Sequence, residues 1–425
     1  MPKFIFTLEA LEAKEGDSLL LHYGTKDKPR LIVIDGGPKD VFKNSLSPRL
    51  KAIRAARGGG VMEVRMIMVS HIDGDHITGI LDLTKELRQA QDSGANPAYD
   101  VLTLWHNSFD DIVAKFSAEV QEHVGRVKPG NLQAENEAVA ADVKQGRALR
   151  FDANALSLNL NSGFDDLVVF ETRAKPAQSR ADNTLNIGSF KTGPTQEEHL
   201  SFLVLGPRRA EIEALEAKWI EDLEAILAKK APKKPGSAKK KTGAGASVDP
   251  AEVLERAESL LSAAEFEAVA TAFLDKSIPN LSSIVVLASV GGKTMLLTGD
   301  ARGDLILDSL RDCGLLPKTA GTVHFDVLKM PHHGSDRNMR KDFLQMVTAD
   351  HYVFSADGKN GNPDVKTFDM LFGARPKGGY TLWLTNDVPA TTKFIKAKKP
   401  AKVVVNIRKD PARSLKIELG AEVGV

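Results

Sequence analysis

The chain has 425 residues, 42% of them hydrophobic, and a formal net charge of +1, which is ample for a large core in one big domain or two and gives no global attraction to nucleic acid or a membrane. Its single cysteine, Cys313, rules out an intrachain disulfide and a cysteine-based zinc site, and fits a reducing cytoplasm as the expected location. The opening MPKFIFTLEALEAKEGD lacks the layout of a signal peptide, and no apolar run reaches the roughly 18 residues that a membrane span needs.

The first seventy residues read as strands: LLLHYG (19–24) and RLIVID (30–35) are short apolar runs suited to a hairpin, and EVRMIMVSH (63–71) is a buried strand ending on a histidine. HITGILDLTKELRQA (76–90) has helical spacing, and YDVLTLWHNS (99–108) is a strand that again runs to a histidine. A helix is expected in FDDIVAKFSAEVQEHV (109–124), and strands in DDLVVFET (165–172) and LSFLVLGP (200–207). Two helices follow, 208–230 and 250–275, the second opened by Asp249 as N-cap and Pro250 in the first helical position. Between them, 229–249 is rich in Lys, Pro, Gly, Ala and Ser, so 208–275 is expected to be a helical hairpin with a disordered tip. Strands resume at 282–290, 293–300, 325–330, 351–357, 380–385, 402–407 and 415–420. This alternation predicts a layered α/β domain, built from 1–207 and 276–425 and interrupted by the helical insertion.

Chemistry concentrates in MIMVSHIDGDHITGI, where His71, Asp73, Asp75 and His76 fall within six residues between an apolar strand and a helix. Loops at the carboxyl ends of strands are where α/β sheets place their sites, and so much polarity is costly there unless something binds it. A divalent cation answers that cost, and imidazole with carboxylate suits Zn²⁺, Mn²⁺ or Fe. Read alone, the segment is also compatible with a polar turn. Two further strands end in the same way, however: KTMLLTGDA delivers Asp300, and VLKMPHHGSDRN delivers His332 and His333.

These motifs resemble the metallo-β-lactamase superfamily, whose signature is HxHxDH followed by a distant Asp and His. The likeness is closest to the hydrolase domain of ComEC-type competence proteins, which carry Asp at the second position, as in His71-Ile-Asp73-Gly-Asp75-His76. EGDSLLL (15–21), IDGG (34–37), VLGP (204–207), NLSSIVVL (280–287), LLTGDA (296–301), LKMPHHGS (328–335) and YVFSAD (352–357) follow in that family's order. The resemblance implies an αββα sandwich holding two divalent ions, Zn²⁺ or Mn²⁺. His71 and Asp73 would serve one ion, Asp75, His76 and one of His332/His333 the other, and Asp300 would bridge. Asp75, His76 and Asp300 would then carry catalysis by an activated water. The chain departs from the pattern in two places. The isolated third histidine has no clear match, His106 being the candidate to line the site, and Asn362-Pro363 stands where ComEC-like chains often have His-Pro. Asn280, Ser335 and Asp17 are candidates to support the ligands from behind or to hold turns, and Asp35 is expected to hold its loop.

The expected activity is that of a phosphodiesterase or nuclease. Hydrolysis of a small ester, lactone or amide is the alternative, as is a partner-gated metalloenzyme whose helical insertion docks another protein. Seven lysines within 229–241 offer a nucleic-acid contact, or simply a solvated linker. The membrane channel of ComEC proteins has no counterpart, so DNA uptake is not implied and no membrane partner is expected.

Overall fold

The computed structural model describes residues 4–106, 200–207 and 283–424, with isolated positions at 145, 148–149, 151–152, 155–156, 184–185, 220 and 253. The expected helix at 109–124, the expected strand at 165–172, Asn280, and nearly all of the expected insertion 208–275 with its lysine-rich tip lie outside the described residues.

The amino-terminal strands form a meander. β1 (Phe4–Leu11), β2 (Leu19–Thr25) and β3 (Pro29–Ile34) pair antiparallel; β5 (Met66–Met68) then joins β3 in parallel and β7 (Leu104–Trp105) joins β5. The chain's last strand, β16 (Ser414–Glu418), returns to pair with β1, closing a six-stranded sheet of order β16-β1-β2-β3-β5-β7. The expected strand over 63–71 is shorter and divided. β4 (Met62–Val64) leaves the sheet to pair with β6 (Tyr99–Val101), and β5 stops at Met68, with the loop of His71, Asp73 and Asp75 beyond it. The first seventy residues are also not all strand, because α1 (Ser47–Ala56) lies within them, buries Leu50 and Ile53, and places Pro48 in its first turn.

The second sheet has eight strands in the order β15-β14-β13-β12-β11-β10-β9-β8. β8 (Thr184–Leu185), β9 (Ser201–Gly206), β10 (Val285–Val290) and β11 (Lys293–Leu297) pair antiparallel. From β11 onward β12 (Val323–Lys329), β13 (Val347–Phe354), β14 (Thr381–Leu384) and β15 (Val404–Ile407) are parallel. The β10–β11 hairpin turns on Gly291-Gly292 with φ of 55° and 79°, a positive pair that side-chain-bearing residues rarely supply. Helices supply the crossovers of the parallel half: α3 (Gly303–Asp312), α4 (Lys341–Met346), α5 (Val365–Ala374) and α6 (Pro389–Lys398).

One apolar core lies between the sheets. Phe6, Leu8, Leu21, Ile32, Met68 and Trp105 from the first sheet meet Phe202, Val204, Val286, Met295, Val327 and Val353 from the second. A second core lies on the other face of the eight-stranded sheet, where Leu296, Leu328 and Phe354 pack against Leu307, Phe343 and Phe368 of the helices. The far face of the six-stranded sheet is buried too, through Leu20, Leu31, Val33 and Ile67. There α2 (Gly74–Asp92) approaches so closely that Gly79 lies directly on Gly36. The fold is thus a mixed α/β architecture with two facing sheets. No helix among the described residues is long and apolar enough to cross a membrane.

Candidate metal centre

The carboxyl ends of β3, β5, β11 and β12 open onto one edge of the sandwich, together with the β1–β2 loop. β5 runs into Ser70-His71, and α2 begins at Gly74 with Asp73 in the extended cap position. Asp73 makes no side-chain capping hydrogen bond, so its carboxylate is not used by the helix and turns instead to His71, with Oδ2 3.5 Å from Nε2. β11 ends at Leu297, and Gly299 (φ 50°) turns the chain against Ser70 and Ser283 to present Asp300. After β12, a short turn over Pro331–Gly334 holds His332 (φ 46°, ψ 52°) and His333 (φ 55°, ψ 16°) both left-handed. Two consecutive non-glycine residues in that region cost on the order of 1 kcal/mol or more each, strain of the kind that collects where side chains must be aimed.

Asp300 stands at the centre of the cluster. Its Oδ2 is 3.7 Å from His71 Nε2 and 3.5 Å from His332 Nε2, and its Oδ1 is 3.5 Å from both His76 Nε2 and His333 Nε2. Asp75 lies 3.4 Å from His333 Nε2 and 3.8 Å from His76 Nε2, and the two imidazole Nε2 atoms are 3.2 Å apart. Most of these separations are too long for good hydrogen bonds. They match atoms that share a common ion, since two donors about 2.1 Å from a tetrahedral cation are about 3.4 Å from each other. Among the described residues, two groups of buried or half-buried donors could hold an ion: Asp17, His76, Asp300 and His333, whose atoms lie within 4.8 Å of one another, and His71, Asp75 and His76.

The outward-facing nitrogens of two rings are fixed from behind. Asp35 Oδ2 lies 2.9 Å from His76 Nδ1, and Asp35 itself accepts hydrogen bonds from the Ser70 N–H and Oγ, both at 2.7 Å. Asp17 Oδ1 lies 3.4 Å from His333 Nδ1. With Nδ1–H directed at carboxylates, His76 and His333 would confront each other with Nε2 lone pairs, an arrangement that calls for positive charge between them.

The electrostatics say the same. Burial opposes charge on His71, but Asp73, Asp300 and Asp75 override it and raise the imidazole to about 10. His333 is likewise sealed from water, yet Asp300, Asp17 and Asp75 raise it well above the usual value. His76 rises against both burial and the neighbouring His71, through Asp75, Asp300 and Asp35. The reciprocal effect outweighs burial for Asp75, Asp300 and Asp17, whose carboxyls are lowered by the surrounding imidazoles and, for Asp17, first by Lys329. Several buried atoms have no hydrogen-bond partner among the described residues, His71 Nε2, Asp73 Oδ1, Asp300 Oδ1 and His333 Nδ1 included. An ensemble of carboxylates demanding cations, with sealed and unsatisfied donor atoms, suits a divalent ion.

All seven residues singled out at the three strand ends therefore come together. Both histidines of the 332–333 pair reach the cluster, where one was expected, and His332 occupies the His71 side. His106, the candidate for the unassigned third histidine, follows β7 and is half-buried, but belongs to neither donor group. Ser335 is engaged in its own turn, accepting from the Arg337 N–H at 3.4 Å. Asn362 Nδ2 donates to the His332 carbonyl at 3.4 Å, so it supports the histidine turn. Sequence reasoning gave Asp35 only a loop-holding role, missing its contact with His76, and did not notice Lys329. The available signals were an aspartate ending an apolar strand and a lysine interrupting one. No known family model matches the chain, and no curated protein is significantly similar to it.

Proposed function

We propose that the chain is a metal-dependent hydrolase whose facing sheets and flanking helices form a metallo-β-lactamase-type αββα sandwich, and that its substrates are phosphodiesters. The observation that carries this reading is the donor spacing around Asp300. The Nε2 atoms of His76 and His333 lie 3.2 Å apart, each 3.5 Å from Asp300 Oδ1 and 3.4–3.8 Å from an Asp75 oxygen, and these four residues would hold one divalent ion. His71 Nε2 lies 3.5 Å from Asp73 and 3.7 Å from Asp300 Oδ2, which is 3.5 Å from His332 Nε2, and these would hold a second. Asp300 would bridge the two. Such ions act as Lewis acids toward a phosphoryl or acyl oxygen and make water a competent nucleophile near neutral pH.

The protein's own groups set direction and access. Asp73, Asp75 and His332 keep 26–33% of their side-chain surface exposed while His71, His76 and Asp300 are sealed, so substrate would approach over the first three. Asp75 at that opening can orient a water. Three carboxylates with four imidazoles make a mixed donor set, suited to Mn²⁺ as well as Zn²⁺. Lys359, exposed in the loop after β13 and paired with Glu15, feels the Asp75 carboxylate and so puts a cation at the rim, where an anionic phosphodiester would gain most.

The test is a panel of bis-p-nitrophenyl phosphate, single- and double-stranded DNA, RNA, p-nitrophenyl acetate and a lactone, assayed with Zn²⁺, Mn²⁺ and Mg²⁺ alongside elemental analysis. We expect about two ions per chain, phosphodiester turnover, and a fall of at least 10²-fold for Asp75→Ala with the fold retained. Metal uptake with turnover of only the acetate or lactone would move the substrate to carboxylic esters. Failure to take up any ion would refute the reading.

A further inference from the structure

Lys329 ends β12 and is among the largest fully buried side chains of the protein, with 1% of its surface exposed. Its Nζ lies 2.7 Å from Asp17 Oδ2 and donates to the Met330 carbonyl at 3.2 Å. The other oxygen of Asp17 lies 3.4 Å from His333 Nδ1, and neither of those two atoms has another hydrogen-bond partner among the described residues. On the opposite side of the same ring, Nε2 is the atom that faces Asp75, Asp300 and His76. Asp17 thus stands behind the imidazole, with one oxygen committed to an ammonium and the other aimed at the ring. Its backbone is fixed as well: Asp17 N–H donates to the Asp75 carbonyl at 3.3 Å, and Ser355 Oγ donates to the Gly16 carbonyl at 2.7 Å.

We infer that Lys329 and Asp17 form a positioning pair for His333, the ammonium pinning the carboxylate so that it accepts from the Nδ1–H and leaves the Nε2 lone pair directed at the ion. The inference rests on the metal-centre reading above and assigns to it residues that touch no reacting atom. His76 has the same arrangement by other means, its Asp35 pinned by the N–H and hydroxyl of Ser70. The difference is chemical. A neutral clamp suffices for Asp35, whereas Asp17 is held by a buried cation that also offsets one carboxylate of a site crowded with them. A buried ion pair is a poor stabilising device, since apolar residues of similar volume commonly do as well or better. Its place against a ligand's rear nitrogen is accounted for by aiming that ligand.

The experiment compares wild-type protein with Asp17→Asn, Lys329→Met and the apolar double variant Lys329→Met/Asp17→Leu. Apo-protein melting is measured beside calorimetric Zn²⁺ titration and the visible spectrum of bound Co²⁺. Lys329→Met alone leaves a buried carboxylate unpaired and can fail to fold; the double variant removes both charges and keeps the question answerable. We expect the double variant to melt at or above the wild-type apo temperature, yet to bind one of its two ions about 10–100-fold more weakly, with an altered Co²⁺ spectrum. Asp17→Asn, whose amide oxygen can still accept from Nδ1, should lie between. A double variant that binds both ions as wild type does would make the pair purely structural and overturn the inference. Complete loss of that ion in Asp17→Asn would make Asp17 a direct ligand and overturn it as well. Wild-type protein that takes up no ion would refute the metal centre itself, an outcome distinct from both.

Discussion

A β-carbon on Gly16 would lie 1.9 Å from the carbonyl oxygen of Asp75, and one on Gly79 would lie 2.0 Å from the carbonyl oxygen of Gly36. Both contacts are backbone against backbone, so no side chain can swing aside to relieve them. The first seats the β1–β2 loop against helix α2 and the second seats α2 against the loop after β3, and together they set where Asp17 and His76 point. Gly79→Ala should therefore destabilise by about 3 kcal/mol or more, the upper end of overpacking costs, and weaken metal uptake. Gly60→Ala, at a glycine with open space around it and ordinary φ, should leave both unchanged. Thermal melts with and without Zn²⁺ check the pair. At this scale the members of the cluster were legible in the sequence, because a histidine or aspartate ending an apolar strand is rarely placed there for stability. The residues behind them were not. Lys329 closes β12 at the parity of Val323, Phe325 and Val327, where a lysine reads as the polar end of a strand, and only the fold brings Asp17 opposite it across 312 positions of sequence.

Among the elements, β1 was the least legible. FIFTLEAL places Thr7 and Glu9 on the face opposite Phe6 and Leu8, which suggests a half-solvated strand, yet all eight residues are buried. The polar face is sealed by partners that arrive from far away: Arg49 of α1 binds Glu9 through two nitrogens at 2.7 and 3.1 Å, His22 lies 3.0 Å from Glu9, and Ser414 of β16 donates to it at 2.5 Å. Burial alone would push the Glu9 carboxyl up, but the hydrogen bonds from His22 and Arg49 overcome it and hold the group at about 2, against an ordinary 4.5. The folded value is the lower one, so the stabilisation is fully present above pH 4.5 and drains away as the pH falls toward 2. That difference is worth on the order of 3 kcal/mol. Denaturant midpoints measured between about pH 3 and 7 should fall more steeply for wild type than for Glu9→Gln, which should be the less stable protein at neutral pH. Parallel slopes would show that Glu9 does not titrate in this window. Helix α1 escaped notice for a related reason: its buried face is only Leu50 and Ile53 in an otherwise polar stretch, too narrow a stripe for periodicity to announce.

Over the whole molecule, the candidate ligands divide between the two sheets. His71, Asp73, Asp75 and His76 follow β5 of the six-stranded sheet; Asp300, His332 and His333 follow β11 and β12 of the eight-stranded one. An ion held by both sets ties the sheets together, so binding energy adds to folding energy. At a free concentration a thousandfold above the dissociation constant, each ion would add about 4 kcal/mol. Chelator treatment should accordingly lower the melting temperature by several degrees, and stoichiometric Zn²⁺ should restore it; a melt indifferent to chelation would mean that no ion spans the sheets. The layered α/β class was readable because strand-forming runs with clear boundaries supply most of the strands, whereas two facing sheets were implied only by the family resemblance. The pairing was not, since β16 joins β1 across almost the full length of the chain. The division of the ligands also has a consequence in time. As the chain leaves the ribosome, its first four donors emerge long before the last three, for 257 positions separate His76 from His333. Neither donor quartet is complete until that late segment has been made and the second sheet has closed on the first. A nascent or truncated chain would therefore hold no complete donor set, and the hydrolysis proposed for this site would await the finished fold.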